Sequence, residues 1–188
     1  MKVRRQAWRE RASQIDPHRL VFLDESGAKT NMTRLYGRTV GGARVVDGTP
    51  GGHWCTTTIL SALRLDGSTA AMVSEGATDR EVFEAYVQHV LIPNLRDGDI
   101  VVLGNLAPHK TPGIVAAIET AGAEVWFLPP YSPDFNPIEK MWSKVTQLLR
   151  SAKARTEETL LNAIAAALQS VCSSDARSWF NSCEYRYE

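Results

Sequence analysis

Short apolar runs and glycine- or proline-marked breaks alternate through the first half of the chain. Residues 2–15 are charged, with Val3, Ala7, Trp8, Ala12 and Ile15 interspersed. They predict a short helix that packs on the domain or leads in from a neighbouring region, and Asp16-Pro17 breaks it. Arg19 to Leu23 is a short apolar run closed by Asp24-Glu25-Ser26-Gly27, which predicts a buried strand with Asp24 at its carboxyl end. Residues 27–53 are rich in Gly, Thr and Arg, and Gly41-Gly42 and Thr49-Pro50-Gly51-Gly52 punctuate them; they read as a hairpin-like excursion with loose loops. Trp54 to Leu65 is strand-like and closed by Asp66-Gly67, and Thr69 to Ser74 reads as its antiparallel return.

The second half alternates between two periodicities. Thr78 or Asp79 caps a helix carrying Val82, Phe83, Tyr86, Val87, Val90 and Leu91 at helical spacing, ended by Pro93 and Gly98. Ile100-Val101-Val102-Leu103 is a fully apolar strand. Thr111-Pro112 opens a helix that Gly122 stops, and Glu124 to Leu128 is the next strand. A helix around Glu139 runs to about Ser151, a Thr156-capped helix follows to about Val171, and Ser174 or Asp175 caps a last short one. An antiparallel meander joined to strand–helix crossover units predicts an α/β fold: a mixed five-stranded sheet flanked by helices, with extra C-terminal helices. That is the ribonuclease-H-like architecture, here over residues 19–188, with residues 1–18 as a lead-in helix.

Composition narrows the class. A chain of 188 residues with 44% apolar content fits one globular domain. No apolar run reaches spanning length and the start has no signal-peptide core, so a cytoplasmic protein is expected. Cys55, Cys172 and Cys183 lack metal-type spacing and read as reduced thiols. Net charge is zero, which excludes a strong uniform nucleic-acid field. The charge is nonetheless grouped. Lys29, Arg34, Arg38, Arg44 and Arg64 face only Asp47, and Lys140, Lys144, Arg150, Lys153 and Arg155 follow Glu139 with no intervening acid. These patches suit phosphate contacts or simply solvated faces.

The chemistry centres on Leu128 to Trp142, a strand end, a proline-stiffened loop and a helix start. Asn136 is placed to cap that helix, and Pro137 suits its first turn. Glu139 lies in the same turn, where the helix N-terminus favours an ionised carboxylate. Two uses fit it: holding a divalent metal on a rigid mount, or closing a capping box with Asn136.

Four stretches resemble the transposases of bacterial insertion sequences in the mariner superfamily: Leu20 to Gly27, Met32 to Arg38, Asn105 to Lys110, and Leu128 to Glu139. The resemblance runs from about residue 16 to the C-terminus, and the proline block is its most specific part. It implies a DDE carboxylate triad on a ribonuclease-H-like fold. It further implies two Mg²⁺ or Mn²⁺ ions, cutting of transposon-end DNA, joining to a TA target, and a homodimer in the DNA complex. Two ions about 3.5–4 Å apart serve the attacking and the leaving oxygen of such a reaction. Asp24 and Glu139 match the first and third carboxylates.

The second carboxylate is missing. The family places it directly before Asn105, where this chain has Gly104. Thirty-four residues separate Gly104 from Glu139, the family's spacing, so the register is intact and only the side chain is lost. Asn105 points elsewhere by strand alternation, and Asp99 lies at the opposite end of the strand. The expectation is a crippled or inactive site, in a chain disabled by design or decay, or a remnant that binds DNA or dimerises without cutting.

Other residues have paired readings. Glu25 approaches the metals or forms a structural salt bridge. His53 and Trp54 fix the loop and pack the strand. Tyr131 and Phe135 stack on bases or pack in the core, the latter favoured. Arg34, Arg38, His109, Lys110, Lys140 and Lys144 are the candidate DNA contacts. Relatives carry an N-terminal helix-turn-helix that the residues before Asp24 do not supply, so a catalytic fragment or one product of a split gene is expected.

Overall fold

Leu20, Val21, Phe22 and Leu23 are buried on both sides, and they begin the central strand of a five-stranded sheet. The computed structural model describes residues 2–104 and 111–186. Its strands are β1 (Leu20–Lys29), β2 (Thr56–Arg64), β3 (Thr69–Glu75), β4 (Ile100–Leu103) and β5 (Glu124–Phe127). Their order is β3-β2-β1-β4-β5. The first three are antiparallel neighbours, while β4 runs parallel to both β1 and β5. This is the mixed sheet that the order of elements predicts.

Alternation divides the core into two layers. Leu20 and Phe22 of β1, with Ile100 and Val102 of β4, face one cluster; Val21, Leu23, Val101 and Leu103 face the other. The first layer is covered by α1 (Lys2–Ala12), α4 (Pro137–Ala152), α5 (Glu157–Gln169) and α6 (Ser173–Ser182). The second is covered by α2 (Arg80–Tyr86) and α3 (Pro112–Thr120), through Phe83, Tyr86, Ile114 and Ile118. In α4, the buried Ile138, Met141, Trp142, Val145 and Leu149 form one stripe at helical spacing. Burying each such side chain contributes roughly 1.5–3 kcal/mol.

The caps follow the sequence in part. Asp79 accepts from the Val82 amide at 2.8 Å, and Thr156 forms a capping box with Thr159. Cys172, rather than Ser174 or Asp175, occupies the cap position of α6, and the Asp175 carboxylate accepts its amide at 3.2 Å. Beyond α2 the chain continues through a π turn at Val87–Leu91 and a 3-10 turn at Ile92–Asn94.

Three expectations fail here. β1 does not end at Asp24 but runs on to Lys29, because β2 pairs with it over that whole stretch. The segment between β1 and β2 forms no hairpin. Its only regular element is a 3-10 turn at Val40–Gly42, and residues 34–55 are solvent-exposed. Nor do His53 and Trp54 pack on the strand. Both are exposed, Trp54 by 51%.

The first helix and the end of the chain brace the proline loop. Trp8 Nε1 donates to the Tyr185 hydroxyl at 3.1 Å, and that hydroxyl donates to the Phe135 carbonyl at 2.7 Å. Arg5 and Arg9 lie over the Phe135 ring at 4.4 and 4.9 Å from its centroid. Arg5 also donates to Asp134 and to Ser132 Oγ, and Arg9 pairs with Glu184 at 2.7 Å. Phe135 is thus in the core, as expected.

Candidate active site

The sheet opens at one place. The parallel pairing of β1 with β4 ends at Leu23 and Leu103. The next residue on one strand is Asp24 and on the other Gly104. Asp24 continues the parity of Leu20 and Phe22, and position 104 continues that of Ile100 and Val102. Both positions therefore belong to the face covered by α4. Asp24, Gly104 and Glu139 line a single cleft of about 670 Å³, whose other wall is the loop from Leu128 to Pro133.

Glu139 reaches the cleft from the first turn of α4, its amide donating to the Asn136 carbonyl at 3.2 Å. The helix N-terminus suits a negative charge at this position. Asn136 is not the side-chain cap that its spacing to Glu139 predicts. Its Nδ2 turns instead to Asp24 Oδ2, at 3.3 Å. Its Oδ1 is buried and has no hydrogen-bond partner.

Asp24 is electrostatically unsettled. Burial pushes its carboxyl up to about 7, and the nearby Glu139 and Glu25 carboxylates push the same way. The Glu25 amide, donating to Asp24 Oδ1 at 2.9 Å, and the Asn136 amide pull against them. A cation between the carboxylates would remove the repulsion. The donor set is hard oxygen, as Mg²⁺ or Mn²⁺ requires. Among the described residues no group of three His, Cys, Asp or Glu side chains is placed to hold a metal ion. The residues present, Asp24 and Glu139, offer carboxylate oxygens of the kind a divalent cation takes.

Asp99, the other acid of that strand region, is committed elsewhere. It forms a buried two-armed pair with Arg64, whose Nη1 lies 2.9 Å from Asp99 Oδ1. Glu25 makes no ion pair with another described residue. Tyr131 does not pack in the core. It is 86% exposed at the cleft mouth, on a backbone with φ of 54°, because the turn between Pro130 and Ser132 aims it outward.

A second groove, of about 740 Å³, meets the cleft at Glu139. It lies between the loop carrying Arg34, Leu35 and Tyr36 and the face of α4 carrying Trp142 and Arg150. Arg34 therefore borders the site, and Arg38 is exposed farther along the same loop. Arg155 anchors that loop by donating to the Thr30 and Met32 carbonyls at 3.0 and 2.9 Å, and Lys153 pairs with Asp47 at 2.5 Å. Lys140 is exposed beside Glu139. The Lys144 ammonium pairs with Asp175 at 2.5 Å and donates to the Ser170 carbonyl at 2.8 Å. His109 and Lys110 lie outside the described residues.

The sequence reading overlooked Asn136 as the partner of Asp24, because cap chemistry explained it fully. It also overlooked Arg5, Arg155 and Tyr185 as the braces of the two walls. The Arg5 and Arg155 contacts span more than 120 residues, and Tyr185 reaches Phe135 across 50, so no local pattern signals them.

No described helix is long and apolar enough to cross a membrane. No curated protein matches the sequence. Solved structures resemble the fold closely. The chain in a pre-cleavage Mos1 transpososome superposes with a TM-score of 0.75 at 14% identity, covering 96% of this chain and 57% of that one. The catalytic domain of Mos1 mariner transposase gives 0.67 at 14% identity, covering 96% and 84%. The Mos1 catalytic domain with raltegravir and Mg gives 0.69 at 15% identity, covering 100% and 94%. This chain spans little more than half of the longer Mos1 chains it matches, and it shares the ribonuclease-H-like fold of the Mos1 catalytic domain. The DDE superfamily endonuclease profile matches residues 19–161, well over half of the chain, and the protein belongs to that superfamily of endonucleases.

Proposed function

We propose that this chain is the catalytic domain, over residues 19–188, of a transposase from the bacterial insertion-sequence branch of the mariner superfamily. In it Gly104 stands where the second catalytic aspartate belongs. Residues 1–18 are its lead-in helix, and its working place is the bacterial cytoplasm, at the nucleoid. The observation that supports this reading most is the joint lining of one cleft by Asp24, Gly104 and Glu139.

Divalent cations, when bound, supply activation of the attacking oxygen and stabilisation of the leaving oxygen of a phosphodiester. Asp24 and Glu139 are the residues to hold them. Gly104 contributes no side-chain oxygen, so one grip on the cation is lost. The acidic cleft also repels the DNA backbone until that charge is neutralised. Arg34, Arg38 and Lys140, with His109 and Lys110, are the proposed phosphate contacts. Lys144 drops out because Asp175 already neutralises it. The DNA is a transposon end joined to a TA target, and the working unit is a homodimer.

Gly104 also favours a second reading, a transposase remnant that binds DNA or dimerises without cutting. One experiment addresses both: Mg²⁺- or Mn²⁺-dependent nicking of transposon-end DNA by the natural chain and by Gly104→Asp. Restored nicking in the variant alone supports a disabled catalytic domain. Equal cleavage by both chains removes position 104 from the site. Cleavage by neither, with DNA still bound, leaves the remnant.

A further inference from the structure

Asn136 combines three features that capping does not explain. It is 5% exposed, its side chain makes no cap bond to α4, and it lines the cleft beside Asp24, Gly104 and Glu139. One end of its amide is committed, with Nδ2 donating to Asp24 Oδ2 at 3.3 Å. The other end, Oδ1, is a buried acceptor with no donor. Buried acceptors are nearly always satisfied, and one left bare asks for a ligand.

We propose that Asn136 completes the oxygen set of the cleft: its N–H group fixes the Asp24 carboxylate, and its unpartnered Oδ1 is the third oxygen donor to a divalent cation. The inference rests on the metal-dependent reading above and deepens it.

The chemistry fits. A neutral amide oxygen is a hard ligand of the kind Mg²⁺ and Mn²⁺ accept, and it adds no charge to repel Asp24 and Glu139. The mount is stiff, because Asn136 sits between the buried Phe135 and the buried Pro137 that opens α4. A ligand held this way loses little freedom on binding. Once Asp24 is ionised to bind a cation its oxygens only accept, so Nδ2 must face Asp24 and the amide oxygen lies at the other end. Asn136 is thus a positioning residue for Asp24 and a cation ligand in its own right. It partly offsets what Gly104 has lost.

The test is a Mn²⁺ titration followed by the electron paramagnetic resonance signal of the free ion, without DNA or turnover. Asn136→Leu, Asn136→Ser and Asn136→Asp are compared with the natural chain, and each is repeated on a Gly104→Asp background where binding is tighter. Thermal unfolding without metal reports folding, and the serine variant carries the test if the leucine variant does not fold. The expected result is roughly tenfold weaker Mn²⁺ binding in the leucine and serine variants, and at least tenfold tighter binding in Asn136→Asp. Affinities within twofold of the parent in the leucine and serine variants would overturn the role of Asn136 while leaving the metal reading intact. No Mn²⁺ uptake by either parent chain would overturn both.

Discussion

Arg5 grips both carboxylate oxygens of Asp134, at 2.9 and 2.5 Å, across 129 positions of sequence. The contact ties α1 to the loop that walls the cleft, and it holds the Asp134 carboxyl below the usual carboxylate range. A surface pair of this kind adds little global stability, so its effect should be local. In Arg5→Ala, amide hydrogen exchange over residues 131–136 should quicken roughly three- to tenfold, with the sheet unchanged. Unaltered exchange there would show that the Tyr185 and Phe135 contacts suffice.

Asp24 carries a stability cost that grows with pH. Its folded carboxyl titrates near 7, whereas an unfolded aspartate titrates at about 3.9. Below about pH 4 both states are protonated, and the group costs nothing. Between about pH 4 and 7 the unfolded aspartate is ionised while the folded one keeps its proton, so stability falls across that window and levels off above 7, where the folded state holds the buried charge. Asp24→Asn should therefore be nearly neutral at pH 4 and stabilising by roughly 1–3 kcal/mol at pH 8, measured by denaturant unfolding in a chelating buffer. Mn²⁺ should reverse the order at pH 8 by stabilising only the natural chain.

Arg64 and Asp99 form a buried pair where β2 ends and β4 begins. Asp99 also accepts the Arg96 amide at 2.6 Å, and Arg64 donates to the Asn94 carbonyl at 2.9 Å. Removing one partner strands the other charge. Arg64→Ala should cost roughly 3–5 kcal/mol, read from urea unfolding. A double change to apolar residues of similar volume should recover most of that loss.

Arg34 and Glu139 both line the second groove. If DNA follows that groove, Arg34→Ala should weaken binding of any duplex about equally and reduce the salt slope of the affinity by about one. Fluorescence anisotropy across a salt series would measure both. A loss restricted to one sequence would mean base reading instead.

Much of this fold is legible from the chain alone. The apolar run Ile100 to Leu103 could only be a buried strand, and the strand–helix alternation after it fixes parallel pairing with β5. The spacing of Ile138, Met141, Trp142, Val145 and Leu149 shows which face of α4 is inward. Asp24 was harder to place, because Glu25-Ser26-Gly27 reads as a break while β2 supplies the partner that keeps the strand going. A local pattern does not contain that partner. Asn136 misled for the opposite reason, since a complete local explanation hid its turn toward Asp24. Tyr131 belongs in the core by its type, but a backbone twist at a single residue sends it outward.

That twist has a mechanical side. A non-glycine residue at φ of 54° costs roughly 1–3 kcal/mol, so the ring of Tyr131 is displayed at the mouth on a cocked spring. Substituting glycine would release the spring and discard the ring together. Tyr131→Gly should thus melt at a higher temperature than the natural chain yet hold frayed DNA ends less well, a divergence that neither a purely structural nor a purely ligand-facing tyrosine would produce.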